Sequence, residues 1–175
     1  MVWLRLPTGG WWLVGRYPLL KARGVEGVAM EGTVQTIDVS AEPQRIYEIA
    51  IDLEAYPEWA KGVKSAQVTE VDDQGRPTVA DFTIDAMIKE ISYTLEYDYD
   101  RNNGFAWAAR PNNDITVLEG SYQFNALDDG AGTEIVYALR VEPTFKVPGF
   151  LRRQAEKQIV GTALRGLKNQ AEASA

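Results

Sequence analysis

One stretch of this sequence, residues 149–171, is long and regular enough to form a many-turn helix. Pro148 and Gly149 mark its start, and no proline interrupts it. Gly161 and Gly166 lie inside it, and each glycine costs roughly 1 kcal/mol relative to alanine in a helix. A helix that carries such residues is often approached closely by another element. We therefore expect this helix either to pack against a sheet backbone or to form one wall of a cavity.

The apolar residues of this helix lie on two neighbouring lines rather than in one stripe. Leu151, Ala155 and Ile159 form the first line. Gln158 and Thr162 lie beside it, where a core helix usually carries leucine, and we expect both to face the cavity. The second line consists of Val160, Ala163, Leu164 and Leu167.

The sequence between Gly62 and residue 147 is typical of an antiparallel sheet. Residues 90–100 alternate almost perfectly between apolar or aromatic and polar side chains, as expected of a strand with one buried face. Residues 102–104 (Asn-Asn-Gly) are a strong hairpin signal, and a phase change near residues 119–120 predicts a β-bulge. Together with an earlier strand, the predicted strands are residues 33–39, 63–71, 78–87, 90–100, 105–110, 115–127 and 133–142.

Two short helices are predicted after the first strand. Ser40 is a good N-cap and Pro43 suits the first helical turn, and apolar residues at spacings of three and four continue to Leu53. Residues 54–60 form a second short helix or turn that carries Trp59. The predicted architecture is therefore α+β: a seven-stranded antiparallel sheet curves around the long C-terminal helix, with two short helices after the first strand.

Between sheet and helix we expect a pocket, whose lining follows from strand phase. Each aromatic ring is alternatively a core-filling side chain, and Trp59 is either a lid over a ligand or a packing anchor. With the two polar helix residues included, the predicted ligand-binding residues are Trp59, Phe82, Ile84, Tyr93, Leu95, Tyr97, Trp107, Tyr122, Phe124, Ile135, Gln158 and Thr162.

Three segments resemble the START-like (SRPBCC, helix-grip) superfamily, and in particular its polyketide cyclase/dehydrase and coenzyme-Q-binding branch. They are residues 39–43 (Val-Ser-Ala-Glu-Pro), residues 56–59 (Tyr-Pro-Glu-Trp) and residues 163–168 (Ala-Leu-Arg-Gly-Leu-Lys). The resemblance covers roughly residues 31–170. It implies a deep, mostly apolar tunnel that accepts lipids, quinones, polyketides or other hydrophobic small molecules.

Composition excludes several functional classes. The sequence contains neither cysteine nor histidine, so thiol nucleophiles, zinc clusters and the commonest general base are ruled out, and we expect no metal and no cofactor. The net charge of −7 argues against nucleic-acid binding. Residues 1–30 are basic and tryptophan-rich, and we expect them to be an extension outside a domain of residues 31–175. The alternatives are a segment that lies at a membrane interface and one that folds back onto the domain. Residues 1–30 match neither a secretory signal nor a membrane span, so we expect a cytoplasmic protein without stable membrane insertion.

Three functions remain open on the sequence. The first is binding or transport of a lipid-, quinone- or polyketide-like molecule. The second is an aromatase/cyclase-type enzyme that moves protons with polar cavity residues, of which Arg110 and Tyr137 are candidates. The third is an adaptor that acts through protein contacts. The lack of histidine makes us favour binding over catalysis.

Overall fold

The computed structural model describes residues 3–5, 11–13, 32–85, 90–100, 103–128, 130 and 132–173. Two short strands, β1 (Trp3–Arg5) and β2 (Trp11–Leu13), pair as an antiparallel hairpin within the predicted N-terminal extension. The remaining strands are β3 (Thr33–Val39), β4 (Val63–Val71), β5 (Pro77–Asp85), β6 (Glu90–Asp100), β7 (Gly104–Ala109), β8 (Ile115–Ala126) and β9 (Thr133–Pro143). The link predicted at residues 88–89 lies outside the described residues.

Strands β3 to β9 form one antiparallel sheet in the order β3-β9-β8-β7-β6-β5-β4. Each neighbouring pair from β4 to β9 is consecutive in the chain, as hairpin connections require, and β3 closes the sheet against β9. This curved seven-stranded sheet with its long C-terminal helix confirms the predicted helix-grip fold class.

Three helices accompany the sheet. Helix α1 (Pro43–Ile51) leads through a 3₁₀ turn (Leu53–Ala55) into helix α2 (Tyr56–Trp59). The long helix α3 (Gly149–Ala173) closes the fold. The predicted N-cap at Ser40 is wrong: Glu42 occupies that position, because α1 begins at Pro43. The backbone N–H of Ser40 donates to a carboxylate oxygen of Glu172 in α3 (3.0 Å).

Polar contacts fix α3 along β3 and β9, and the helix also packs against α1 and α2. Glu156 is buried and accepts hydrogen bonds from the Thr33 hydroxyl (3.3 Å) and from the backbone N–H of Val141 (3.0 Å). Further along, the Lys168 ammonium donates to the Asp38 carbonyl oxygen (2.7 Å). These contacts hold α3 over one side of the sheet, next to its β3 edge.

The two apolar lines of α3 have opposite environments. Val160, Leu164 and Leu167 from the second line are fully buried against the sheet. Leu151 and Ile159 from the first line are exposed, so this line faces away from the sheet. The cause is geometric: the two lines lie far enough apart around the helix that only one can face the sheet.

The β-bulge predicted near residues 119–120 is also wrong. Gly120 pairs in regular register with Trp107 of β7 and Leu139 of β9. The irregularity lies earlier in β8, between Ile115 and Val117. Gly120 has another role, because a Cβ at this position would overlap the Trp107 indole. The glycine therefore makes room for a large ring on the inner face of the sheet.

Candidate ligand-binding site

Strand register assembles a group of aromatic rings at the centre of the inner sheet face. Tyr97 pairs with Trp107 in the adjacent strand, and Tyr122 pairs with Tyr137. The ring centroids of Tyr122 and Tyr137 lie 4.4 Å apart, and those of Trp107 and Tyr137 lie 5.5 Å apart. Phe105 packs beside them, with its centroid 5.6 Å from that of Tyr122. These spacings are those of attractive aromatic pairs.

A second row of rings connects α2 to the sheet. The Tyr56 and Trp59 centroids are 4.5 Å apart, and Tyr56 meets Phe82 of β5 at 6.0 Å. Phe82 in turn stacks on Tyr93 of β6, with centroids 5.9 Å apart. The short helix α2, which contains Pro57 in its first turn, thus places its two aromatic side chains against the inner face of the sheet.

The tyrosine hydroxyls of these rows fall into two classes. Tyr56 donates to the carbonyl oxygen of Ala50 (2.7 Å), and Tyr99 donates to that of Pro77 (2.6 Å). No hydrogen bond within the described part of the chain engages the hydroxyls of four other tyrosines. None of their four hydroxyl oxygens is completely enclosed by protein atoms, so each borders unfilled space. They are Tyr93, Tyr97, Tyr122 and Tyr137, which we call the open tyrosines.

Burial keeps the phenols of the open tyrosines protonated. It raises the pKa of Tyr93, and for Tyr97 and Tyr122 the neighbouring phenols raise the pKa further. The pKa of Tyr137 is raised by burial and then by Tyr93. At neutral pH the open tyrosines therefore offer several O–H donors among apolar and aromatic side chains.

Trp59 contributes one more polar atom. Its indole Nε1 is enclosed and finds no acceptor among the residues that the structure describes. An enclosed donor without a partner costs about 1–3 kcal/mol, unless a bound molecule accepts its hydrogen. The ring lies against α3, where Gly166 leaves room for it.

Most of the predicted ligand-binding residues lie on the inner face, but at different depths. Phe124 and Ile135 have no exposed surface, so they support the rings above them and cannot touch a ligand. Gln158 is exposed on α3 and leaves the candidate site, because it lies on the side of the helix turned away from the sheet. Thr162 is half-buried. The remaining predicted residues are buried or half-buried on the inner face or on α2: Trp59, Phe82, Ile84, Tyr93, Leu95, Tyr97, Trp107 and Tyr122.

The catalytic pair considered from the sequence is not brought together. Arg110 is exposed, and its guanidinium donates to Glu96 on the outer face of the sheet (2.8 Å). Tyr137 is buried on the inner face. Because the sheet separates the two side chains, Arg110 cannot assist chemistry at Tyr137.

Tyr56 is the residue of this site that the sequence does not predict. Tyr137 is predicted, because the phase of β9 places it inward with Ile135 and Leu139, and it is also a candidate in the catalytic alternative. No local pattern could have identified Tyr56, because its contact with Phe82 depends on how α2 docks onto the sheet.

Comparison with known proteins assigns the chain to a family. Residues 39–168 match the family described as polyketide cyclase/dehydrase and lipid transport. The chain belongs to this family. The resemblance inferred from residues 39–43 and 56–59 is thereby confirmed at the level of the superfamily. No curated protein matches the sequence.

Solved structures share the polyketide cyclase fold of this chain. A START superfamily protein from Mycobacterium smegmatis superimposes with a TM-score of 0.77 at 20% identity, covering 82% of this chain and 98% of that one. A protein from Thermus thermophilus gives 0.66 at 26% identity, with coverages of 81% and 97%. A Streptomyces aromatase/cyclase gives 0.67 at 15% identity, with coverages of 80% and 92%.

The described residues form neither a metal site nor a membrane-spanning helix. They contain no group of acidic side chains arranged to hold a metal ion. No helix formed by them is both long enough and apolar enough to cross a bilayer.

Proposed function

We propose that the protein binds a hydrophobic small molecule that carries oxygen acceptors, in the space between the inner sheet face and α3. The observation that carries this proposal is the set of open tyrosines: four hydroxyls without a hydrogen-bond partner among the described residues, on aromatic rings at the centre of a buried surface. Pockets for small molecules are usually apolar with a few converging polar groups, and this arrangement has both properties.

The chemistry of the rings narrows the class of ligand. Flat aromatic faces such as Trp107 and Tyr97 favour planar or ring-bearing molecules, which stack at separations like those found between the rings themselves. Protonated phenols donate hydrogen bonds, so they suit carbonyl, ether or hydroxyl oxygens on the ligand. Each such bond contributes about 0.5–1.5 kcal/mol to affinity. A quinone or a polyketide-like aromatic ketone satisfies both requirements, whereas a saturated alkyl chain satisfies neither.

The family description agrees with this class of ligand. It combines polyketide cyclisation or dehydration with lipid transport, and both activities handle hydrophobic molecules. The likeness to a Streptomyces aromatase/cyclase at 15% identity extends to the fold alone.

Cyclase activity is the second candidate and has less support from the geometry. It would require an acid and a base at the same substrate carbonyl. The open tyrosines can act as proton donors, but their raised pKa makes them poor bases at neutral pH. The cation expected to assist them, Arg110, is engaged by Glu96 outside the site.

Native mass spectrometry of the purified full-length protein tests the proposal. We expect a discrete mass excess that disappears on denaturation, and solvent extraction should release a molecule that absorbs in the ultraviolet. Activity on a poly-β-keto substrate that is lost in Tyr137→Phe would favour the enzyme instead. A protein that binds no small molecule, yet retains a specific protein partner, would overturn the proposal in favour of the adaptor role.

A further inference from the structure

The beginning of α3 carries an unusual exposed surface. Of the large apolar side chains that are exposed within the described residues, four of six fall within residues 145–159: Phe145 (51% exposed), Phe150 (64%), Leu151 (45%) and Ile159 (46%). The other two, Val34 and Val71, are isolated from them on β3 and β4. Exposed apolar side chains that occur singly need no explanation, but a cluster of this kind marks an interaction site.

The first two turns of α3 are not buried in the core. The first buried residue of α3 is Glu156, so residues 149–155 contribute no buried side chain to the core. Short helices are marginal in water, and helices in proteins are stabilised mostly by tertiary packing of an apolar face. The start of α3 therefore presents an apolar face that another surface could stabilise.

The same segment is basic in an acidic protein. Lys146, Arg152, Arg153 and Lys157 flank the apolar cluster, whereas the whole chain carries a net charge of −7. None of these four cations forms an ion pair with a residue that the structure describes. The single acid between residues 144 and 159 is Glu156, and its carboxylate is turned inward to Thr33 and Val141. The start of α3 and the loop before it therefore combine exposed apolar side chains with cations that have no ion-pair partner among the described residues.

This combination fits a lipid bilayer better than it fits a second copy of the chain. In a two-fold dimer each patch would meet itself, so unpaired cations would face unpaired cations. An anionic bilayer instead supplies negative headgroups for the cations and an acyl boundary for the aromatic and aliphatic side chains. Each basic residue near such a surface contributes about 1 kcal/mol, which corresponds to roughly fivefold in affinity.

We propose that the start of α3 and the loop before it form a peripheral docking surface for membranes that contain anionic lipid. Phe150 and Leu151 enter the interface, and Arg152 and Arg153 contact the headgroups. The contact requires no spanning helix, and the described residues contain none. The contact also does not require a ligand in the site, so its test is independent of the test of the proposed function.

Flotation of the full-length protein with vesicles tests this surface. Vesicles of phosphatidylcholine alone are compared with vesicles that also contain phosphatidylglycerol, at low and at high salt. We expect binding only to the anionic vesicles, and weaker binding at high salt because salt screens exposed charges.

Arg152→Gln with Arg153→Gln should lower the partition coefficient roughly 30-fold. Phe150→Ser with Leu151→Ser should lower it at least tenfold through loss of apolar burial.

Matched controls change the same chemistry elsewhere. Arg45→Gln with Lys61→Gln removes two exposed cations that lie outside the surface, and Val34→Ser with Val71→Ser removes the two isolated apolar residues. Both control proteins should bind vesicles like the unmodified protein.

Failure of the unmodified protein to bind vesicles overturns the proposal. Equal binding by all variants also overturns it, and would assign binding to the basic residues 1–29. Concentration-dependent dimers in sedimentation velocity that Phe150→Ser with Leu151→Ser abolishes, in a protein that ignores vesicles, would equally overturn it.

Discussion

Trp59 of α2 and Gly166 of α3 are in closer contact than any other side chain at position 166 would allow. A Cβ on Gly166 would lie 2.9 Å from the Trp59 carbonyl oxygen and 3.2 Å from Cε3 of its ring. The other glycine inside α3 differs: a Cβ on Gly161 would meet only side-chain atoms, Nη1 of Arg165 at 3.2 Å and Oε1 of Gln35 at 3.3 Å. Contact with the backbone of α2 therefore explains why position 166 is a glycine. Position 161 faces only side chains, which can move to admit a methyl group.

The two interior glycines of α3, Gly161 and Gly166, should respond oppositely to alanine. Gly166→Ala should lower the free energy of unfolding by about 1–3 kcal/mol, because the methyl group must displace the backbone of α2. Gly161→Ala should leave it unchanged or raise it by up to roughly 1 kcal/mol through helix propensity. Urea denaturation of both variants measures the difference. Equal effects would show that α2 does not constrain position 166.

A methyl group at position 120 should disturb the inner sheet face. Gly120→Ala places a Cβ against the Trp107 indole and the Ala138 carbonyl oxygen, both of which are held by the sheet. We expect a loss of about 1–3 kcal/mol in stability and a changed near-ultraviolet circular dichroism signal from the displaced ring. Gly149→Ala is the control, since its new Cβ would meet nothing closer than 3.9 Å. An unperturbed near-ultraviolet signal in Gly120→Ala would contradict the placement of Trp107.

The buried carboxylate of α3 should stabilise the fold through its two hydrogen bonds. Glu156→Ala leaves the backbone N–H of Val141 and the Thr33 hydroxyl without their partner, and we expect a loss of about 1–3 kcal/mol. Glu156→Gln keeps an acceptor oxygen and should lose less. Thermal denaturation of both, with Glu58→Ala at an exposed position as control, measures the effect. A Glu156→Ala protein as stable as the control would show that these contacts do not anchor α3.

Stability should fall at alkaline pH because buried phenols resist ionisation. An unfolded tyrosine has a pKa of about 10, and burial is the first cause that raises the pKa of six tyrosines in the folded chain. Above about pH 10 the unfolded chain releases phenolic protons that the folded chain keeps, so the free energy of unfolding decreases as the pH rises. The six are Tyr56, Tyr93, Tyr97, Tyr99, Tyr122 and Tyr137.

Ultraviolet titration of tyrosinate, followed together with far-ultraviolet circular dichroism, checks this prediction. The six phenols should ionise only as the secondary structure is lost. Ionisation of all tyrosines near pH 10 in a protein that stays folded would place these side chains in contact with bulk water.

The sequence was sufficient for the architecture because its patterns are local. The alternation of residues 90–100 and the turn signals between strands depend on neighbours in the chain, and the structure has β6 over the same residues, Glu90–Asp100. The candidate site depends on contacts between distant elements. Strand phase predicted that Tyr93 and Tyr97 face inward, but nothing local distinguishes their free hydroxyls from the hydroxyl of Tyr99, which donates to Pro77.

Helix α3 and strand β3 show where local sequence patterns give the wrong prediction. Two apolar lines run along α3, and the sequence does not reveal which one meets the sheet. In β3, Val34 is exposed while Thr33 and Gln35 face α3, because the inner positions donate hydrogen bonds to Glu156 and to the Lys157 carbonyl oxygen. Polar residues on a buried face are recognised only when their partners are known.

Binding of two matched probes to tyrosine variants tests the central claim most directly. 1,4-Naphthoquinone carries two carbonyl acceptors, and naphthalene has the same ring system without them. Calorimetric titration should show that Tyr97→Phe with Tyr122→Phe lowers naphthoquinone affinity by roughly three- to tenfold per hydroxyl lost, and leaves naphthalene affinity unchanged. Tyr56→Phe with Tyr99→Phe, whose hydroxyls already donate to backbone carbonyls, should leave both affinities unchanged. Absence of saturable binding by both probes, or equal losses in the two double variants, would contradict a site built on the open tyrosines.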